Sequence, residues 1–316
     1  MNQLTNVGHA SHYADDEIDL RQLFSTLWAG KWLIIALTAV FTVGGVAFAL
    51  SKPDIYEASV LVAPANGEVG AQGLSGQLGG LASLAGISLG GGGSDKTVIA
   101  KEVLQSRTFL SNFIRKHDLA ASLKAITAWD TQKQQWQYNR EVYNPDSGKW
   151  LAGENGESYA PTDWDLVKAF RGKLNVSENR DTGMLTVSIA SLSPVVAKEW
   201  ATKLIADINE HMRREDVEMS EARIAFLKTK LSETNIAGMQ QVFYQLIENE
   251  TRTVMLANAQ PEYVFRIIDP AVAPQEKSEP KRALIAVVAT MLGGILGVLF
   301  VFLRAFIKSG AAGKES

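Results

Sequence analysis

Residues Pro261–Lys308 read PEYVFRIIDPAVAPQEKSEPKR, then ALIAVVATMLGGILGVLFVFL, then RAFIK, in direct succession. Tyr263 to Ile268 form an extended, β-branched and aromatic segment set among prolines 261, 270, 274 and 280. The cations Lys281 and Arg282 then introduce about twenty apolar residues, long enough to cross a bilayer. Proline fixes φ and withholds a backbone donor. The stretch therefore predicts a stiff, non-helical strut that feeds straight into a membrane span.

A second hydrophobic peak lies near the start, at Trp32 to Leu50, WLIIALTAVFTVGGVAFAL, nineteen residues without a charge. Ala47-Phe48-Ala49 resembles a signal-peptide cleavage site, but the run exceeds a signal h-region. Its leader also carries Asp15, Asp16, Glu17 and Asp19 rather than a short basic segment. The reading is a retained span. Ahead of it, Ile18, Leu20, Leu23, Phe24, Leu27 and Trp28 recur at mostly three- and four-residue spacing. That pattern predicts a short amphipathic helix at the membrane surface, with a plain juxtamembrane connector as the alternative.

The chain of 316 residues has a net charge of -3, which gives no electrostatic case for nucleic acid. It contains no cysteine, so disulfides, thiolate catalysis and cysteine metal sites are excluded. Arg21 and Lys31 precede the first span, Lys52 follows it, and Arg304, Lys308 and Lys314 follow the second, while Lys277, Lys281 and Arg282 oppose the rule. The segment between the spans is too long for its charges to set orientation, so the short termini decide, and both are expected inside.

The intervening domain opens with a strand, Ile55 to Ala63, in which Tyr56, Ala58, Val60 and Val62 alternate with Ile55, Glu57, Ser59 and Leu61. Asn66 to Ser94 then turns to glycine, serine, alanine and leucine, a composition that cannot hold a packed core. Its leucines argue for intermittent contact with a partner surface or headgroups. It ends in GGGSDKT, where Asp95 stands in place of the glycine that a phosphate-cradling loop needs before its lysine. Nucleotide binding is rejected. Ser94 or Asp95 is expected instead to cap a helix starting near Thr97.

Helical period continues from Arg107 to Ile126, and Thr127 to Ala160 is polar and aromatic, with Trp129, Trp136, Tyr138, Tyr143 and Trp150. Packing of a loop-rich region onto the domain is the preferred reading of these rings. Sugar-binding surfaces use the same mixture, an apolar ring face beside hydrogen-bonding neighbours. Thr162 to Leu174 reads as a capped helix, followed by strands Leu174 to Glu178 and Met184 to Ala190 around the turn Asn179 to Gly183. With the Ile55 and Tyr263 strands, these make a sheet covered by helices.

Ser193-Pro194 starts a long helix. Its apolar stripe runs through Val196, Trp200, Leu204 and Ile208, then Val217, Ile224, Leu227 and Leu231, and a break is expected between Thr234 and Gly238. A second stripe from Met239 to Met255 returns, making a hairpin whose first arm would reach about 55 to 60 Å at about 1.5 Å per residue. The arm is charged with both signs. Arg213, Arg214, Glu215, Glu221 and Arg223 are the candidates for contact between copies, with charge setting register. The expected divisions are a leader (1–31), a first span (32–50), a membrane-proximal domain (51–192, with the glycine-rich loop 66–94), the hairpin (193–258), a returning strand with the proline-rich segment (259–282), a second span (283–303) and a tail (304–316).

The leader IDLRQLFSTLWAGKW, the strand YEASVLV, the long helix, the run QQVFYQLIENETRTVMLANAQPEYVFRIIDPAVAPQEKSEPKR and a glycine-bearing second span together resemble the polysaccharide co-polymerases, the Wzz chain-length determinant proteins. The resemblance covers essentially the whole chain. Its most specific part is the spacing of Pro270, Pro274 and Pro280 before Gly293, Gly294 and Gly297. No tyrosine-kinase domain follows the second span, which implies the kinase-free class. The resemblance implies an inner-membrane ring, commonly an octamer, with a periplasmic α/β domain. Such a ring acts with the Wzy polymerase on a lipid-linked glycan and sets how many O-antigen repeat units are added. The length of the glycine-rich segment Gly67 to Gly93 departs from the family pattern.

No catalytic set is found. His9, His12, His117 and His211 are scattered and make no metal-ligand spacing, so neither cofactor nor enzymatic activity is expected. The principal rival is a two-span adaptor for capsule or exopolysaccharide export, or for a separate tyrosine kinase, although the tail RAFIKSGAAGKES has no tyrosine. A more distant rival is a periplasmic sensor or structural coiled coil. In the second span, Ala289, Gly293 and Gly297 recur every four residues, as do Ala286, Thr290 and Gly294. This small-residue face is expected to meet the first span at Gly44 and Gly45, or the polymerase.

Overall fold

The computed structural model describes residues 20–65, 92–153 and 155–312. The expectations for the acidic leader and for most of the glycine-rich loop lie outside the described residues. Helices are α1 Leu20–Ala29, α2 Lys31–Ser51, α3 Gly92–Leu104, α4 Arg107–Lys116, α5 Ala120–Lys124, α6 Asp163–Arg171, α7 Pro194–Glu233, α8 Ala237–Ala259 and α9 Arg282–Ala312. Strands are β1 Tyr56–Pro64, β2 Ile126–Asp130, β3 Gln135–Tyr138, β4 Tyr143–Asn144, β5 Lys149–Trp150, β6 Leu174–Glu178, β7 Leu185–Ser191 and β8 Phe265–Asp269. These elements fall into two compact units, one from the residues up to Lys52 together with those from Pro280 on, the other Pro53–Glu279.

In the larger unit, a four-stranded antiparallel sheet has the order β6-β7-β1-β8. Alternation decides its faces. Ala58, Val60 and Val62 of β1 are buried, and Val60 lies opposite Val187 of β7, itself flanked by the buried Leu185 and Ile189. The start of α7 packs on β1 and β7, where Val196, Trp200, Leu204, Ile205 and Ile208 join the core. Ser193 caps this helix by accepting from the Val196 N–H, and Pro194 occupies its first turn, where no donor is needed. α7 runs 40 residues, about 60 Å at about 1.5 Å per residue. It turns at Thr234 to Ile236 into α8, which packs back along it.

Two local expectations differ. α3 begins at Gly92, ahead of Thr97. The helical period from Arg107 does not carry to Ile126, because Asp118 takes a left-handed φ of 50°. The Asp118 N–H bonds the Arg115 carbonyl and the Leu119 N–H reaches back to Ile114, the pair of bonds with which a left-handed residue closes a helix end. The chain leaves that turn toward α5, and Ile126 opens a strand instead. The polar aromatic region likewise forms two small hairpins, β2–β3 and β4–β5.

The chain enters and leaves this unit at one place. Ile55 exchanges backbone hydrogen bonds with Glu279, and the Lys277 ammonium lies 3.3 Å from Asp54. In the other unit, α2 and α9 pack antiparallel, and each is long and apolar enough to cross a membrane.

Candidate functional sites: paired spans, hairpin arm and aromatic cleft

The contact between the spans is cut to the size of glycine. A Cβ built on Gly293 would stand 2.7 Å from the Phe41 Cβ and 3.0 Å from the Thr38 Cα, and one on Gly297 would stand 3.1 Å from the Ile34 Cα. On the facing helix, a Cβ on Gly45 would collide with the Ala289 Cβ, and one on Gly30, the residue between α1 and α2, would meet Val301 at 2.6 Å. Thr42 and Thr290 share a hydroxyl hydrogen bond of 2.9 Å. Gly44 has nothing within 4 Å, and Gly294 meets only the Thr38 Oγ1 at 3.9 Å. The four-residue recurrence in α9 thus supplies one seam, Ala289–Gly293–Gly297. The Gly30–Val301 contact at its end was not sought in the sequence, because Gly30 lies outside the apolar run.

Along the hairpin, most of the candidate charges pair within the subunit. Arg213 donates to Glu210, Arg214 lies 4.0 Å from Glu218, and Glu215 lies 3.9 Å from His211. Arg223 crosses to Glu250 on α8 at 3.4 Å, and Glu221 is exposed. Exposed ion pairs of this kind contribute little to stability. α8 also leaves Met239, Val242, Leu246 and Met255 exposed. Phe243, Ile247 and Val254 of its stripe are partly covered.

Two polar clusters that sequence reading missed fasten the hairpin to the sheet. The Asn209 side chain on α7 accepts from the N–H groups of Val264 (2.9 Å) and Phe265 (2.8 Å) and donates to the Phe265 carbonyl at 2.8 Å. About two turns further on, Asp216 accepts from the Lys96 ammonium at 2.7 Å and from the Tyr263 hydroxyl, and Lys96 also lies 3.1 Å from that hydroxyl. Burial raises the Tyr263 pKa above its ordinary 10.0, helped by the bond to Asp216. For Lys96, burial acts downward but Asp216 and Tyr263 outweigh it, so its pKa is raised above 10.5. Both shifts favour the protonated form in the folded state. The stability they contribute is complete below the ordinary values and is lost as pH climbs past about 10 through the raised ones. Asp216→Asn is expected to destabilise the protein at pH 8, and the difference is expected to shrink as pH rises beyond the ordinary lysine value of 10.5. A stability difference that stays constant across this window, followed by chemical unfolding, would count against the cluster.

The double hairpin holds the third feature. Trp129 and Trp136 are directly opposed across β2–β3, with ring centroids 4.7 Å apart at 71°. Tyr143 links Tyr138 to Trp150 at 5.3 and 5.1 Å. Trp129 and Trp136 pack against the hydrophobic core, yet they and Tyr138 also line an open cleft of about 660 Å3. Gln134, Gln135 and Gln137 stand along it, with Arg140 and Asp146 3.7 Å apart. Burial pushes the Tyr138 hydroxyl above its usual pKa. Among the described residues, no group of three or more His, Asp or Glu side chains is placed to hold a metal.

The architecture defines a class: an α/β domain with a long helical hairpin, flanked in sequence by two helices able to span a membrane. Residues 16–117 match the family model for Wzz, described as chain length determinant protein. Residues 233–306 match a second model, GNVR, described as a G-rich domain on putative tyrosine kinase. No curated protein matches the chain. Similar solved structures include a full-length bacterial polysaccharide co-polymerase, at 14% identity and a TM-score of 0.39, covering 92% of this chain and 99% of that one. Another is a fragment of WzzB, polysaccharide co-polymerase from Salmonella Typhimurium, at 11% identity and a TM-score of 0.34, covering 72% and 100%.

Proposed function

We propose that the protein is a non-enzymatic regulator of polysaccharide chain length, of O-antigen in the first instance, seated in the bacterial inner membrane. The observation that carries this reading is the match of residues 16–117, through the first span and first strand, to the chain length determinant model. Both termini are cytoplasmic in this reading, and the Pro53–Glu279 unit is periplasmic. Copies associate into a ring, an octamer in the simplest case, that works beside a Wzy-type polymerase on its lipid-linked glycan. Association draws support from the hairpin. Met239, Val242, Leu246 and Met255 expose apolar surface on a helix whose own subunit covers only its other face, and the flanking charges set register.

Deletion of the gene tests the reading. The lipopolysaccharide ladder is expected to lose its modal length and regain it on complementation. An unchanged ladder in the deletion strain would remove the assignment. The match of residues 233–306 to a domain described on putative tyrosine kinases favours one second reading, an adaptor for a separate kinase in capsule or exopolysaccharide export. That reading expects deletion to change phosphotyrosine on the kinase and capsule yield, with the lipopolysaccharide ladder intact.

A further inference from the structure

We infer that the cleft of the double hairpin is a saccharide-binding site that takes uncharged, pyranose-containing segments of the glycan. The inference rests on the proposed function for the source of the saccharide, and on the cleft's own chemistry for its class. Its volume of about 660 Å3 lies within the range of about 300 to 1,000 Å3 usual for ligand sites. Indole and phenol faces supply apolar area at low conformational cost. Gln134, Gln135 and Gln137 also line the cleft, and a carboxamide offers both donors and an acceptor, which suits vicinal hydroxyls that also do both. Arg140 and Asp146 are paired with one another, so the cleft presents no net charge to attract a phosphate or an acidic peptide. A proline-rich peptide also docks on aromatic rings, but it carries few donors for three carboxamides to serve.

A strained backbone position marks this place. Gln134 holds a left-handed φ of 53°, a conformation in which glycine is at ease and a longer side chain is strained. The turn is otherwise built to be local, with the Asp130 carboxylate accepting from the N–H groups of Gln132 and Lys133. A carboxamide kept at a glycine-type position is strain retained beside a cleft.

The strained position makes the test clean, because Gln134→Gly removes the carboxamide and relaxes the backbone. The full-length protein in nanodiscs is titrated with oligosaccharide released by mild acid from the producing strain's lipopolysaccharide, with decaproline as the competing probe. Binding is read by saturation-transfer NMR and tryptophan fluorescence. Saturable binding is expected in the wild type. Gln134→Gly should weaken it about fivefold, the equivalent of one lost neutral hydrogen bond, with thermal stability unchanged or raised. Gln135→Ala with Gln137→Ala should weaken it at least tenfold. Absence of saturable oligosaccharide binding, equal binding by these variants, or preferential binding of decaproline would overturn the inference. A deletion strain that loses modal length while the wild-type protein binds no oligosaccharide would sink the cleft and leave the proposed function standing. Oligosaccharide binding beside an unaltered ladder would do the reverse.

Discussion

Asn209→Ala is expected to cost the Pro53–Glu279 unit about 4 kcal/mol, because it strips partners from three buried backbone groups at once. Asn209 is only 4% exposed. Its amide treats β8 as a neighbouring strand would, taking the Phe265 N–H and giving to the Phe265 carbonyl, and it also takes the Val264 N–H. Alanine offers neither acceptor nor donor, and the site is too enclosed for solvent to replace both. Each stranded group costs about 1 to 3 kcal/mol, set against the smaller penalty of desolvating the amide itself. β8 is an edge strand with only Phe265 fully buried, so it has little other hold on the sheet than β1. Thermal and denaturant unfolding of the purified protein, followed by far-UV circular dichroism, measures the loss. A change below about 1 kcal/mol would mean that the clamp is replaceable by water.

The second large effect concerns the spans. Gly293→Ala or Gly297→Ala should force α2 and α9 apart, since the added Cβ meets Phe41 Cβ or Ile34 backbone rather than the free end of a flexible chain. Helices in lipid associate through close packing and hydrogen bonds, not hydrophobic burial, so a loss of approach removes most of the attraction. The chain contains no cysteine, which makes an introduced pair unambiguous. Thr42→Cys with Thr290→Cys, at the positions whose hydroxyls lie 2.9 Å apart, should cross-link within one subunit when membranes are oxidised. Adding Gly293→Ala should slow that reaction at least fivefold, whereas Gly44→Ala, with nothing within 4 Å, should leave it unchanged. Equal rates for the two would remove the seam.

Much of the fold was legible because one-dimensional signals report one-dimensional causes. Apolar runs too long for any other use gave the two candidate spans, and alternation about Val60 and Val187 gave strands with a buried face. Ser193-Pro194 gave the start of the long helix. The polar architecture was illegible for the opposite reason. An asparagine in a charged helix looks like solvent-facing surface until a strand 55 residues further on is laid against it. Asp118 looks helical until the helix end closes around it. Aromatic residues between Trp129 and Trp150 fit either packing or a cleft, because composition does not say which ring faces remain open.

The amino-acid sequence by itself determined that this chain has two long apolar helices, an α/β domain between them and a charged hairpin. Each follows from residue type and period, which act along the chain. Only the tertiary structure decided that Asn209 and Asp216 fasten the hairpin to the sheet, and that Gly293 and Gly297 rather than Gly44 and Gly294 form the close seam. Hydrogen bonds and steric contacts act over about 3 to 4 Å, so their partners are fixed by the meeting of distant segments, and no local pattern records that meeting.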